Sequence, residues 1–113
     1  MKSRRICLAC DLKPDDELIT QYIEYHKTEN TWPEINQSIR DACIDDMEIY
    51  LIGNRLFMIM EVNEHFDPVK KEKMDADNLK VQEWEDLMMN FQQLIPWSNG
   101  EKWVEMKKIF KLP

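Results

Sequence analysis

Gly53-Asn54 lies between two runs, Asp46–Ile52 and Arg55–Val62, in which apolar residues recur at every second position. A two-residue turn of this kind reverses the chain tightly, because glycine adopts left-handed backbone angles without a steric penalty. The two runs are therefore predicted to pair as antiparallel strands in the middle of the chain. The period of two places Met47, Ile49 and Leu51 on one face of the first strand. A central hairpin restricts its flanks, which must supply further strands for its edge and helices for one of its faces.

Both flanks have that content. Residues 4–12 alternate, with Ile6, Leu8, Cys10 and Leu12 on one face of a first strand. Pro14 followed by Asp15, Asp16 and Glu17 marks a helix start: proline is tolerated in the first turn and acids favour the positive end of the dipole. Leu18, Ile19, Tyr22, Ile23 and His26 then recur at helical spacing to about residue 29. Thr31-Trp32-Pro33-Glu34 reads as a capping box and predicts a second helix over about 32–43. Beyond the hairpin, Pro68 and the charged run after it begin a polar helical stretch. Leu79, Trp84, Leu87, Met88, Phe91 and Leu94 predict an amphipathic helix that ends before Pro96. A loop with a turn at Asn99-Gly100 leads to a closing strand, Trp103–Leu112, with Val104, Met106 and Phe110 on one face.

The order β-α-β-β-α-β predicts an α+β fold, the ferredoxin-like sandwich, with helices covering one face of an antiparallel sheet. The other sheet face is not uniformly polar, since Cys7, Ala9, Tyr50, Ile52, Phe57, Ile59 and Ile109 alternate onto it. Apolar surface of that extent seeks a partner, and a homodimer with the two sheets packed together is expected. At 113 residues the chain suits a single domain, 1–113.

Charge and composition narrow the function classes. The 22 acidic against 15 basic residues give a net charge of −7, which disfavours nucleic acid, whose phosphates need clustered Lys and Arg. The longest apolar run, Leu56–Met60, is far too short to span a membrane. The start Met1-Lys-Ser-Arg-Arg5 has the charge of a signal peptide, but Asp11 and Lys13 interrupt the apolar segment behind it. A cytoplasmic protein is expected, and three cysteines suit a reducing compartment. Cys7 and Cys10 form a C-x-x-C, yet residues three apart on a strand point to opposite faces, so they read as small hydrophobes rather than metal ligands.

Tyr22 and His26, four residues apart, stand one above the other on the first helix. Histidine titrates nearest neutrality and suits proton shuttling without a cofactor. By spacing alone both lie on the apolar face with Leu18 and Ile19, where a buried, hydrogen-bonded histidine is the simpler reading. Trp84 by spacing reads as core, Trp32 as packing at the helix junction, Tyr25 as peripheral, and Glu85 and His65 as surface residues.

Tyr22-x3-His26 followed by Trp32-Pro33-Glu34, with Ile49-Tyr50-Leu51, Leu56-Phe57, Glu83-Trp84 and the ending Phe110-Lys-Leu-Pro113, resembles the L-rhamnose mutarotase family over essentially the whole chain. The resemblance implies a dimeric α+β barrel, anomer interconversion of a 6-deoxy monosaccharide, and no metal or other cofactor. It also implies a catalytic histidine at His26 and sugar-binding aromatics at Tyr22 and Trp84. Rhamnose-type members carry a tyrosine at the position of Met47 and a second tryptophan at that of Glu85. Glu83-Trp84-Glu85 and Gly100-Glu-Lys-Trp103-Val-x-Met106 are more similar to the L-fucose branch, so L-fucose is favoured over L-rhamnose.

Mutarotation itself asks for little: a base for the anomeric hydroxyl proton, an acid for the ring oxygen, and rotation of the open aldehyde. His26 is expected as principal acid and Tyr22 as a donor beside it. Trp84 is expected to stack on sugar C–H groups, Glu85 to accept from hydroxyls, and Met47 to tune the sugar. Two other classes fit the architecture: a cofactor-free monooxygenase of the dimeric α+β barrel type, and a noncatalytic sugar-binding module.

Overall fold

The computed structural model describes residues 3–113, so the first two residues of the basic start lie outside it. Strand β1 is Ser3–Leu12, helix α1 Asp16–Tyr25, helix α2 Pro33–Asp41, strand β2 Ile44–Ile52 and strand β3 Arg55–Asn63. Helices α3, Pro68–Ala76, and α4, Leu79–Met89, precede two short strands, β4 at Gln92–Gln93 and β5 at Val104–Glu105. A 3₁₀ turn, Thr28–Asn30, joins α1 to α2.

The hairpin forms as the sequence predicts. Ile52 pairs with Arg55 across the turn, and Gly53 takes the left-handed angle, φ 57°. Asn54 ties the turn to β1, its side-chain amide donating to the Leu12 carbonyl at 2.8 Å. The sheet order is β2-β3-β1-β4, all antiparallel, with β5 also on β1. β4 and β5 share the edge position of the fourth ferredoxin-like strand. Register builds continuous rows across three strands: Met47–Met60–Ile6, Ile49–Met58–Leu8 and Leu51–Leu56–Cys10. The helices pack on this face. One core cluster gathers Cys10, Leu12, Tyr22, Leu56, Met88 and Phe91, and a second gathers Ile6, Ala42, Ile44, Met60 and Val62.

Several boundaries differ from the sequence reading. α1 stops at Tyr25 rather than near residue 29, and His26 is its C-cap. Ile23 is exposed, whereas Tyr25 packs on the core. Counted from Leu18, the inward stripe at i+4, i+7 and i+8 is Tyr22, Tyr25 and His26, which leaves Ile23 outside it. Thr31 does not cap α2. Pro33 occupies the first turn and makes Trp32 the N-cap, without a side-chain cap bond. The Thr31 hydroxyl instead donates to the Thr28 carbonyl and accepts from the Asn36 amide. α2 ends in Cys43 at φ 68°, a left-handed position usually filled by glycine, and a bulge at Asp45 starts β2 earlier than expected.

The C-terminal third departs most. The polar stretch and the amphipathic helix are separate helices, because Asn78 accepts from the Lys80 and Val81 N–H groups and starts α4 afresh. α4 ends at Met89, so Phe91–Leu94 is not helical, and Gln92 pairs with Leu12 instead. Leu79 and Leu94 are exposed. The closing strand is only Val104–Glu105, followed by one more bond from Met106 N–H to the Cys7 carbonyl. Lys107-Lys108 then breaks the alternation, and Ile109, Phe110 and Leu112 are exposed.

Candidate active site

The helices and the sheet face enclose a cavity of about 930 Å³, within the size range of small-molecule sites. Tyr22, His26, Met47, Trp84 and Glu85 all line it. Residues far apart in sequence converge because side chains of α1 and α4 meet over Leu56 and Cys10, α2 packs against α4, and β2 supplies a further wall.

His26 is half-buried, and its ring stacks on Tyr22 with centroids 4.2 Å apart. Its Nδ1 lies 2.7 Å from the Tyr22 carbonyl oxygen. A carbonyl only accepts, so Nδ1 carries the hydrogen and, in the neutral ring, Nε2 carries the free lone pair. Burial lowers the His26 pKa from its ordinary value, and the bond to the Tyr22 carbonyl opposes that shift. Neutral imidazole is therefore the prevailing form at neutral pH. Burial also raises the Tyr22 phenol pKa, the Gln92 amide acting the other way. Tyr22 is thus a protonated hydrogen-bond donor throughout the physiological range.

Trp84 meets His26 edge-on at 5.4 Å and Trp32 at 5.1 Å, and Tyr25 packs against it at 6.4 Å. Lys80 sits over the Trp32 ring. Trp32 thus packs at the helix junction and also lines the cavity. Tyr25 is a support of this aromatic group rather than a peripheral residue. The rim is charged: Asp45 and Asp46 on β2, the Lys71–Asp75 pair on α3, and Glu85 on α4. Burial and then Asp75 raise the Glu85 pKa, with Lys71 opposing and Asp86 adding. Gln82 donates to its Oε1 at 3.4 Å.

Gln92, Lys102 and Trp103 line the cavity as well, and sequence reasoning assigned them no role. Gln92 fell inside the overextended helix, and Lys102 and Trp103 belonged to the loop and closing strand. His65 is exposed. Cys7 and Cys10 lie on different sheet faces, as their strand offset requires. Burial, with Asp11 adding and Lys102 opposing, pushes the Cys10 thiol up to about 12, so it is an unreactive core group. No described helix is long and apolar enough to cross a membrane.

Residues 5–112 match the family model for L-rhamnose mutarotase. The chain is 42% identical over 113 residues to the L-fucose mutarotase of Xanthomonas campestris pv. campestris, covering 99% of this chain and 90% of that protein. It is 39% identical over 109 residues to a UPF0734 protein of Dictyostelium discoideum, covering 92% of this chain and 86% of that one. The crystal structure of an L-rhamnose mutarotase from Formosa agariphila shares the fold, with a TM-score of 0.70 at 23% identity over 97% of this chain and 99% of that one. Match length and identity together place this chain in the L-rhamnose mutarotase family, as a carbohydrate mutarotase and hence an isomerase.

Proposed function

We propose that this mutarotase interconverts the α and β anomers of a 6-deoxyhexose, L-fucose before L-rhamnose, with His26 moving the proton. The observation that carries this reading is the bond from His26 Nδ1 to the Tyr22 carbonyl, which leaves Nε2 for the substrate. The L-fucose preference rests on the 42% identical Xanthomonas relative and on Met47 and Glu85, where rhamnose-type members have tyrosine and tryptophan.

In the resting enzyme His26 is neutral. Nε2 takes the proton of the anomeric hydroxyl, the C1–O1 bond becomes a carbonyl, and the C1–O5 bond breaks. The imidazolium then delivers its proton to O5, so His26 is the principal acid of ring opening through a proton it has just received. The two oxygens share C1, which lets one nitrogen serve both. The Tyr22 hydroxyl donates to the developing negative charge. Rotation about C1–C2 and the reverse steps close the ring on the other face. Only protons move, and the reaction needs no metal or redox partner. Trp84 stacks against the sugar C–H groups and Glu85 accepts from its hydroxyls.

Residues 1–113 act as one domain, since both core clusters border the same cavity. Exposed Tyr50, Ile52 and Phe57 on the helix-free sheet face support a homodimer through that face. Three free cysteines suit the cytoplasm. Saturation-transfer NMR across L-fucose, L-rhamnose and D-galactose tests the activity. Acceleration is expected to be greatest for L-fucose, and rates equal to buffer for all three sugars contradict the reading.

A further inference from the structure

Asp11 and Gln92 are the buried polar or charged side chains among the described residues. Asp11 is answered by Arg55, whose Nε and Nη2 donate to its two oxygens at 2.8 and 3.2 Å. Gln92 has no comparable partner. It is 7% exposed, stands opposite Leu12 on β4, and lines the cavity.

A carboxamide has two N–H donors and a carbonyl oxygen that accepts. Its amide acts on the Tyr22 phenol, and one hydroxyl uses only part of that capacity. No side-chain nitrogen or oxygen sealed from solvent lacks a partner among the described residues, so the remaining capacity of Gln92 opens onto the cavity. A buried polar group kept in this way calls for an explanation, and a polyhydroxyl ligand supplies one. Gln92 shares the cavity wall with His26 and with Tyr22, whose ring stacks 4.2 Å from that of His26, which puts the amide in the same site as the reacting groups.

We propose that Gln92 is a substrate-binding residue that reads the hydroxyl on the sugar carbon next to the anomeric centre. This rests on the mutarotase reading. That hydroxyl is equatorial in L-fucose and axial in L-rhamnose, so one fixed amide that donates to it and accepts from it separates the two sugars. Being neutral, it does so without its own pH dependence.

The test compares L-fucose with 2-deoxy-L-fucose on wild type, Gln92→Met and Gln92→Glu. Binding is followed by tryptophan fluorescence, since Trp32, Trp84 and Trp103 line the cavity, and turnover by anomer-exchange NMR. Gln92→Met is expected to weaken L-fucose binding roughly tenfold, while 2-deoxy-L-fucose changes by less than about twofold. Gln92→Glu keeps an acceptor and is expected to lose less. Equal losses for both sugars, or none for either, overturn the proposal. If Gln92→Met does not fold, the same comparison on Gln92→Glu decides. A wild type that binds L-fucose without accelerating exchange contradicts the mutarotase reading alone, and the binding comparison still judges Gln92. A wild type that binds neither sugar overturns both.

Discussion

The two ends of the cavity are built from different materials. The inner end is aromatic, with Tyr22, His26, Trp84 and Trp32 in contact one after the next, and the rim is ionic, with Asp45, Asp46, the Lys71–Asp75 pair and Glu85. Burial at the inner end keeps an imidazole neutral and a phenol protonated, the states needed to accept one proton and donate a hydrogen bond. At the rim, Asp45, Asp46 and Glu85 are exposed and screened by solvent, so none of them carries much energy, whereas Lys71 and Asp75 are part-buried and paired. The contrast teaches that chemistry belongs to the dry end and access to the wet one.

Substitutions sharpen or break this contrast, and the largest effect belongs to the inner end. His26→Ala is expected to lower catalysed exchange of L-fucose roughly 10²–10⁴-fold by NMR while leaving the fold intact. Trp84→Ala removes the edge contacts to His26, Trp32 and Tyr25. It is expected to weaken sugar binding and to cost about 3 kcal/mol in urea denaturation. Glu85→Gln is expected to change L-fucose kcat/KM by less than about tenfold. A larger loss there places chemistry at the rim and breaks the contrast. Smallest, and outside the site, Cys43→Gly relieves the left-handed angle that ends α2 and is expected to stabilise by up to about 1 kcal/mol.

The same two ends were unequally legible in the sequence. Tyr22 and His26 sit on one short helix, so their juxtaposition follows from a spacing of four. Trp84 and Glu85 were readable as positions on a helix, but their place opposite His26 depends on how α4 packs. Gln92 was hidden because Phe91 and Leu94 continue the apolar period past the true helix end at Met89. Periodicity does not register that a residue has left the helix to pair with β1. The closing strand is short because Lys107-Lys108 breaks the alternation, and its pairing with β1 stops after Met106. The hairpin succeeded because its turn chemistry and both of its strands are local. Trp32 shows the limit of assigning one role per residue, since it both starts α2 and lines the cavity.

The central claim is that neutral His26 takes the first proton through Nε2. Its lowered pKa also bears on folding. Stability from the neutral ring is fully present above the unfolded value, about 6.5, and is lost as pH falls below it through the lower folded value. The most direct measurement is the pH profile of exchange for L-fucose, corrected for the buffer rate, in wild type and in His26→Ala. The account expects a wild-type rate that is level above about pH 6.5 and falls as the pH drops through the lowered pKa, with no such limb in the variant. A wild-type rate that instead falls as pH rises through that range, or a variant with the wild-type profile, contradicts it.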